Sequence, residues 1–263
     1  MTVHAVCSIE ANTKTVWSAE LLAYSWRRCG QTDPLTVLCA GGMVEIEGAE
    51  VIETESKSWL DGNHYPAYNK PCSIDEWVRR GGPQSDSILI LDPDVVLLEP
   101  LLFTPAERGL AVGHGPWDWI GITSPEVKAL STHPELVASV GIPLLLHKAD
   151  LQAVLSGWVE HTMALRRERP IALYDPWTVE MVGYSLAAAD QGIRHQIVPW
   201  GRGPLLHYFG ASPGALFFLP WTWNKYSHHA WDALPEVPKE APEVARRFAA
   251  LYEEYRQLKG EAS

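Results

Sequence analysis

The chain has 263 residues, of which 46% are hydrophobic and 20% charged, and a net charge of −11. That length holds a sizeable core in one α/β domain or two, and the composition is ordinary for a globular protein. The negative charge argues against a broad nucleic-acid footprint, which needs clustered Lys and Arg, but leaves room for a small anionic ligand met by a metal or a few cations.

The N-terminal stretch "MTVHAVCSIEANTK" has no basic region followed by a long apolar run, so no signal peptide is expected. No run reaches about 18 apolar residues, so no membrane span is expected either. Cys7, Cys29, Cys39 and Cys72 lie far apart without a Cys-x-x-Cys pair. They read as reduced core thiols in a cytoplasmic protein rather than as zinc ligands. Twelve Trp are more than a core needs, and some are expected to line a site.

In chain order, "VHAVCSIEA" predicts a strand and Thr15–Gly30 a helix, with Trp17, Leu21 and Tyr24 on one face and Gly30 at the C-cap. Leu35–Gly42 and Glu50–Ser56 predict two more strands. "NKPCSIDEWVRRGG" predicts a helix with Pro71 in its first turn, capping-box spacing at Ser73 and Glu76, and Gly81–Gly82 at its end. The run "SILIL" follows. Strands alternating with helices imply βαβ units and a mostly parallel sheet, whose doubly covered strands read as continuous apolar runs.

The second half is more mixed. Gly109–Gly115 predicts a strand, and "GIPLLLHKADLQAVLSGWVEHTMALRRE" a strand and then a helix capped by Asp150. "YDPWTVEMVGYSLAAADQG" predicts a helix with Asp175 at the N-cap, Pro176 at its first position and Gly192 at the C-cap. Pro204–Gly210 predicts a strand. A Pro-rich linker then leads to a last amphipathic helix carrying Val244, Phe248, Leu251 and Tyr255, which docks on the body or on a second copy.

The central puzzle is "ILILDPDVVLLEP", in which Asp92 and Asp94 interrupt an apolar run. Pro93 cannot donate to a sheet ladder, so the strand should end near Leu91. The two acids then sit beyond the carboxyl end of a parallel strand, where open α/β sheets bind ligands. Two adjacent carboxylates repel unless a cation lies between them, and Mg²⁺ or Mn²⁺ bridges such groups to diphosphates. Asp-Pro-Asp is equally good turn chemistry, so the triplet alone leaves both readings open. An EF-hand is excluded, because Leu97 stands where that loop needs Gly. There is no Gly-x-Gly-x-x-Gly and no Walker A motif, so a nucleotide held on this sheet needs a metal for its diphosphate.

The order of these features resembles a GT-A glycosyltransferase. More narrowly, the chain resembles the hydroxyproline O-arabinosyltransferase and peptidyl serine α-galactosyltransferase families. The segments that carry this are Tyr65–Val78, Ile88–Leu101, Val140–Trp158 and Asp175–His195, with Leu205–Gly210 as a weaker fifth. The resemblance implies an α/β GT-A domain over residues 1–232, a nucleotide-sugar half (1–100) and an acceptor half (101–232), followed by the linker and helix of 233–263. It implies a UDP-sugar donor, Mn²⁺ or Mg²⁺, and transfer of a pentose or hexose with retention to a hydroxyl. The acceptor would be a hydroxylated amino acid in a peptide, with a small natural product or a hydroxylated base in phage-type DNA as alternatives. Asp94 would be the direct metal ligand, Asp92 would contact ribose or sugar and help hold the metal, and His207 would complete the site; a hydrogen-bonded core histidine is the plainer reading of His207.

Other candidates follow from position. Asn69 and Lys70 open a helix, whose N-terminus favours anions, so they could touch sugar or diphosphate; a surface Lys is the plainer reading. Ser8, Glu10 and Asn12 follow the first strand and could meet base and ribose. Trp177, Glu180, Met181 and Tyr184 share a helix face by spacing, and Trp177 and Tyr184 are candidate substrate contacts. Glu180 could orient the acceptor hydroxyl or stabilise charge at the anomeric carbon. Asp175 reads first as a cap; in an inverting enzyme one of these two acids would be the general base. Trp221 and Trp223 in "WTWNKYSHHAWD" form either a core-covering loop or a sugar platform. Two rival classes remain: a sugar-phosphate nucleotidyltransferase would want a Gly-rich phosphate loop, and a non-catalytic glycan-binding module would bind without metal or nucleotide.

Overall fold

The structure is a computed structural model that describes residues 2–115, 121–168, 177–198, 204–208 and 232–261. Its first half runs β1 (Val3–Glu10), α1 (Thr13–Arg28), β2 (Leu35–Ala40), β3 (Glu50–Thr54), the short β4 (Trp59–Leu60) and β5 (Asn63–His64), α2 (Asn69–Arg79), β6 (Ser87–Leu91) and β7 (Val95–Leu97). The second half runs β8 (Leu110–His114), α3 (Pro125–Lys128), β9 (Gly141–His147), α4 (Lys148–Glu168), α5 (Val179–Asp190), β10 (Arg194–Val198), β11 (Leu205–His207) and α6 (Glu243–Glu261).

Seven strands form one sheet in the order β10-β8-β9-β6-β1-β2-β3. Only β9 runs antiparallel to its neighbours; the other pairs are parallel. Every residue of β2 and β6 is buried, because helices cover both faces. Side chains alternate across the sheet as the pleat requires. Cys7, Cys39, Leu89 and Leu91 pack on Leu22 and Trp26 of α1. Val6, Leu38, Ile88 and Ile90 pack on the opposite face with Trp77 of α2 and Leu155 and Trp158 of α4. Each such side chain contributes about 1.5–3 kcal/mol by leaving water. The four cysteines are free.

The last helix docks on the body. Phe248, Tyr252 and Tyr255 pack on Trp17, Leu21 and Tyr208, flanked by Arg28–Glu254 and Arg247–Glu99 ion pairs at 2.9 and 2.8 Å.

Helix α2 starts at Asn69 as read, but its capping box does not form, and two other helix starts differ from the sequence reading. Ser73 lies inside α2 and bonds Thr54 Oγ1 at 2.8 Å, while Glu76 accepts the Glu55 N–H at 3.0 Å, so they form no capping box. Helix α4 starts at Lys148, with the His147 imidazole accepting from Ala149 N at 3.1 Å. Asp150 instead accepts the Gly109 N–H at 2.7 Å and ties down the turn before β8. Helix α5 begins at Val179 with Thr178 at the cap, not Asp175; Asp175 and Pro176 lie outside the described residues.

Candidate active site

Strand β6 ends at Leu91, and pairing resumes at Val95 after the proline. The chain thereby turns out of the sheet with Asp92 and Asp94 at its carboxyl edge. Strand β11 runs antiparallel to β7 in a register that sets His207 opposite Val95, and Tyr208 N–H donates to Asp94 O at 2.9 Å. That pairing brings a histidine from 113 residues away onto the two aspartates. His207 Nε2 lies 3.2 Å from Asp94 Oδ1 and 3.6 Å from Asp92 Oδ2. One ligand atom from each residue lies within 4.8 Å of the others. Atoms sharing one ion at about 2.1–2.4 Å stand about 4–5 Å apart at most, so the set fits a divalent cation, and its two oxygens and one imidazole nitrogen suit Mn²⁺ or Mg²⁺.

Lys70 lies beside this cluster at the start of α2, its side chain 12% exposed. Its Nζ stands 2.7 Å from Asp92 Oδ1 and 2.9 Å from Glu180 Oε1. Burial works against the ammonium charge, but Asp92 and Glu180 outweigh it and hold the Lys70 pKa above its ordinary value. It is therefore not the surface lysine of a plain helix start. Three carboxylates (Asp92, Asp94, Glu180) against one ammonium leave this cluster at a formal −2, the deficit a divalent cation fills.

Glu180 is the second residue of α5, where the helix dipole favours a carboxylate. It is 5% exposed. Trp158 Nε1–H holds its carbonyl at 2.7 Å, and the Tyr65 hydroxyl meets its Oε2 at 2.7 Å. Burial and the nearby Glu180 push the Tyr65 phenol well above its ordinary range. Tyr65 was not singled out from the sequence. Its only signal was its place at the head of "YPAYNKP", five residues before Lys70.

A second polar network lies at the ends of β1 and β3. Asn69 donates to Glu10 Oε1 and Ser58 Oγ, both at 2.9 Å, and accepts the Lys57 N–H at 2.6 Å. Ser58 also bonds Glu10 Oε1. Asn69 thus orients Glu10, while Asn12 caps α1 through the Lys14 and Thr15 N–H groups at 3.1 Å. Ser8 Oγ is buried and makes no hydrogen bond among the described residues.

The remaining candidates separate. Trp177 precedes α5 and is 57% exposed, with its carbonyl 2.6 Å from the Tyr65 hydroxyl. Tyr184 is 2% exposed in the core, edge-on to Trp158, with its hydroxyl 3.1 Å from His195 Nε2; the fold does not bring it to the carboxylate cluster. Asp175, Trp221 and Trp223 lie outside the described residues. No helix among the described residues is long and apolar enough to cross a membrane.

This arrangement, an Asp-x-Asp beyond a central strand with a late histidine, sits in a GT-A glycosyltransferase fold. The chain is similar to the galactosyltransferase LgtC, solved in complex with donor and acceptor sugar analogs, with a TM-score of 0.55 at 12% identity over 97% of this chain and 99% of that one. The family model for the hydroxyproline O-arabinosyltransferase family N-terminal domain matches residues 3–197, and the chain belongs to that family. It is 28% identical to a peptidyl serine alpha-galactosyltransferase of Arabidopsis thaliana, over 74% of this chain and 27% of that protein. It is 24% identical to the enzyme of the same name from Chlamydomonas reinhardtii, over 96% of this chain and 39% of that protein. A hydroxyproline O-arabinosyltransferase of Medicago truncatula, RDN2, is 23% identical over 71% of this chain and 58% of its own length. The chain thus spans between 27% and 39% of the length of the two galactosyltransferases.

Proposed function

We propose that this chain transfers a pentose or hexose from a UDP-sugar to a hydroxyl on a peptide, a serine or a hydroxylated residue, using a divalent metal and retaining the anomeric configuration. The observation that carries this is the convergence of Asp92, Asp94 and His207 next to the Lys70–Glu180 pair at the carboxyl edge of the sheet. Family membership and the activities for which the relatives are named support the reaction class and the peptide hydroxyl. The net charge of −11 favours this acceptor over DNA.

Asp92, Asp94 and His207 would hold the metal, whose charge stabilises the leaving diphosphate when it is bound. Ser8 and Glu10 would meet base and ribose, with Asn69 fixing the Glu10 carboxylate. Lys70 couples the metal side of the site to Glu180 and gives an anionic donor a buried cation. Glu180, held at a helix N-terminus, faces the sugar with a fixed negative charge suited to an oxocarbenium-like centre. Trp177 offers an exposed aromatic face for the acceptor.

The test is release of nucleoside diphosphate from UDP-, GDP- and dTDP-sugars in the presence of serine- and hydroxyproline-containing peptides, with Mn²⁺ or EDTA. The expected result is metal-dependent turnover of a UDP-sugar to a glycopeptide that NMR shows to keep the donor's anomeric configuration. Metal-independent turnover, or glycan binding without any transfer, contradicts the proposal.

A further inference from the structure

The buried carboxylate of Glu180 has a different partner on each oxygen. Lys70 Nζ holds Oε1 at 2.9 Å, and the Tyr65 hydroxyl holds Oε2 at 2.7 Å. The same phenol oxygen accepts the Glu180 N–H at 3.2 Å. Thr178, at the cap of α5, makes no side-chain capping bond. Tyr65 therefore supplies from a distant segment the acceptor that the first turn of this helix lacks. Its ring cannot swing away: it is 2% exposed, the Arg166 guanidinium lies 4.7 Å from its centroid, and Tyr68 meets it edge-on at 5.1 Å.

We infer that Tyr65 is a positioning residue for the transfer: it anchors Glu180 Oε2 to the protein, so that Oε1, the oxygen on Lys70, is the one presented toward Asp92 and the donor. A single phenolic proton faces two acceptors, the Trp177 carbonyl at 2.6 Å and Glu180 Oε2 at 2.7 Å. Donation to Oε2 fixes the plane of the carboxylate, so that Oε1, through a lone pair beyond the one Lys70 holds, is the oxygen turned to positive charge developing at the anomeric carbon. A free carboxylate would rotate between the two roles; one pinned at both oxygens does not. No bond is made or broken at Tyr65; its effect on the transfer passes through Glu180, and any loss that persists in a Glu180→Gln background reports its other contact, the Trp177 carbonyl. The inference rests on the transferase reading of the site.

The test is a double-mutant cycle between Tyr65→Phe and Glu180→Gln, on whichever sugar nucleotide the wild type turns over. Tyr65→Phe should lower kcat about 10- to 100-fold, the effect of losing a hydrogen bond to a charged group. Nucleotide affinity by tryptophan fluorescence should stay within about twofold, since the phenol bonds Glu180 and the Trp177 carbonyl and not Asp92, Asp94 or His207. In the Glu180→Gln background the added loss should shrink to within about threefold. Trp158→Phe is the comparator: it frees the Glu180 carbonyl and loosens the same turn without touching the carboxylate, so it should lower the melting temperature while reproducing little of the kcat loss. An equal loss in both backgrounds, a loss confined to KM, or a matching loss in Trp158→Phe overturns the assignment. Should Tyr65→Phe not fold, 3-fluorotyrosine at position 65 keeps the shape and strengthens the donor; an unchanged kcat then overturns it. A wild type that turns over no donor sinks the transferase reading and this assignment together, whereas an active wild type with any of the other results sinks only the assignment.

Discussion

Replacing Gly183 by Ala sets two known effects against each other. Helix propensity alone favours Ala over Gly by about 1 kcal/mol. Gly183, however, lies where α5 packs against α4. A methyl group on its Cα would stand 2.9 Å from Thr162 N and 3.1 Å from Trp158 O, and closer still to Thr162 Oγ1. Two of these obstacles are backbone atoms of α4, so a change of side-chain rotamer cannot relieve them. Overpacking of this kind costs about 1–3 kcal/mol, and a backbone obstacle belongs at the upper end. Subtracting the propensity gain leaves a net loss of about 2 kcal/mol, which lowers the melting temperature by about 4–8 °C in a domain of this size. Gly157 provides the internal contrast, because a methyl there meets the Ala187 Cβ at 3.3 Å and its Cα at an ordinary 3.8 Å. Gly157→Ala should therefore cost less. Thermal melts by circular dichroism of both variants decide the matter. A Gly183→Ala protein that melts at or above the wild-type temperature refutes the claim that the two helices meet through this glycine. Because Glu180 stands three residues earlier on α5, the shifted helix should also slow turnover.

Two further outcomes follow from single residues. Burial holds His195 down from 6.5 to about 4, so the folded state binds fewer protons than the unfolded chain between those values. Its contribution to stability is complete above about pH 6.5 and is lost as the pH falls toward about 4. Guanidinium melts at pH 7 and pH 5 should show His195→Gln losing about 2 kcal/mol less than the wild type over that interval; parallel losses contradict this. Asn69→Ala strands the Lys57 N–H and leaves Glu10 Oε1 with Ser58 alone, which should cost about 1–3 kcal/mol and weaken nucleotide binding; an unchanged melting temperature and affinity contradict the scaffold drawn around Glu10.

Elements whose signal is local were legible in the sequence. Strands buried on both faces read as apolar runs in Val3–Glu10, Leu35–Ala40 and Ser87–Leu91. Helix starts were misplaced where an unusual group takes a first-turn N–H, the adjacent His147 imidazole at α4 and the distant Tyr65 phenol at α5, because capping signatures look for Ser, Thr, Asp or Asn just before the helix. The aspartates were legible because an acid–proline–acid step in an apolar run is conspicuous. Their contact with His207 depends on the β7–β11 register, which no spacing encodes. Tyr184 was grouped with Glu180 because residues four apart share a helix side. Helix α5 is buried almost all round, so periodicity could not say which neighbour each side faces.

The central claim is that Asp92, Asp94 and His207 hold a metal needed for a sugar nucleotide. Thermal shift with UDP-, GDP- and dTDP-sugars, each with Mn²⁺ and with EDTA, on the wild type and Asp94→Ala, tests it most directly. A ligand at about one hundred times its Kd adds about 2.7 kcal/mol to the folded state. The wild type should then melt about 5–10 °C higher with Mn²⁺ and a UDP-sugar, with no rise in EDTA and none in an Asp94→Ala protein that still folds. No rise with any nucleotide, or an equal rise in Asp94→Ala, would mean that Asp-Pro-Asp here is a turn and that these three residues hold no metal.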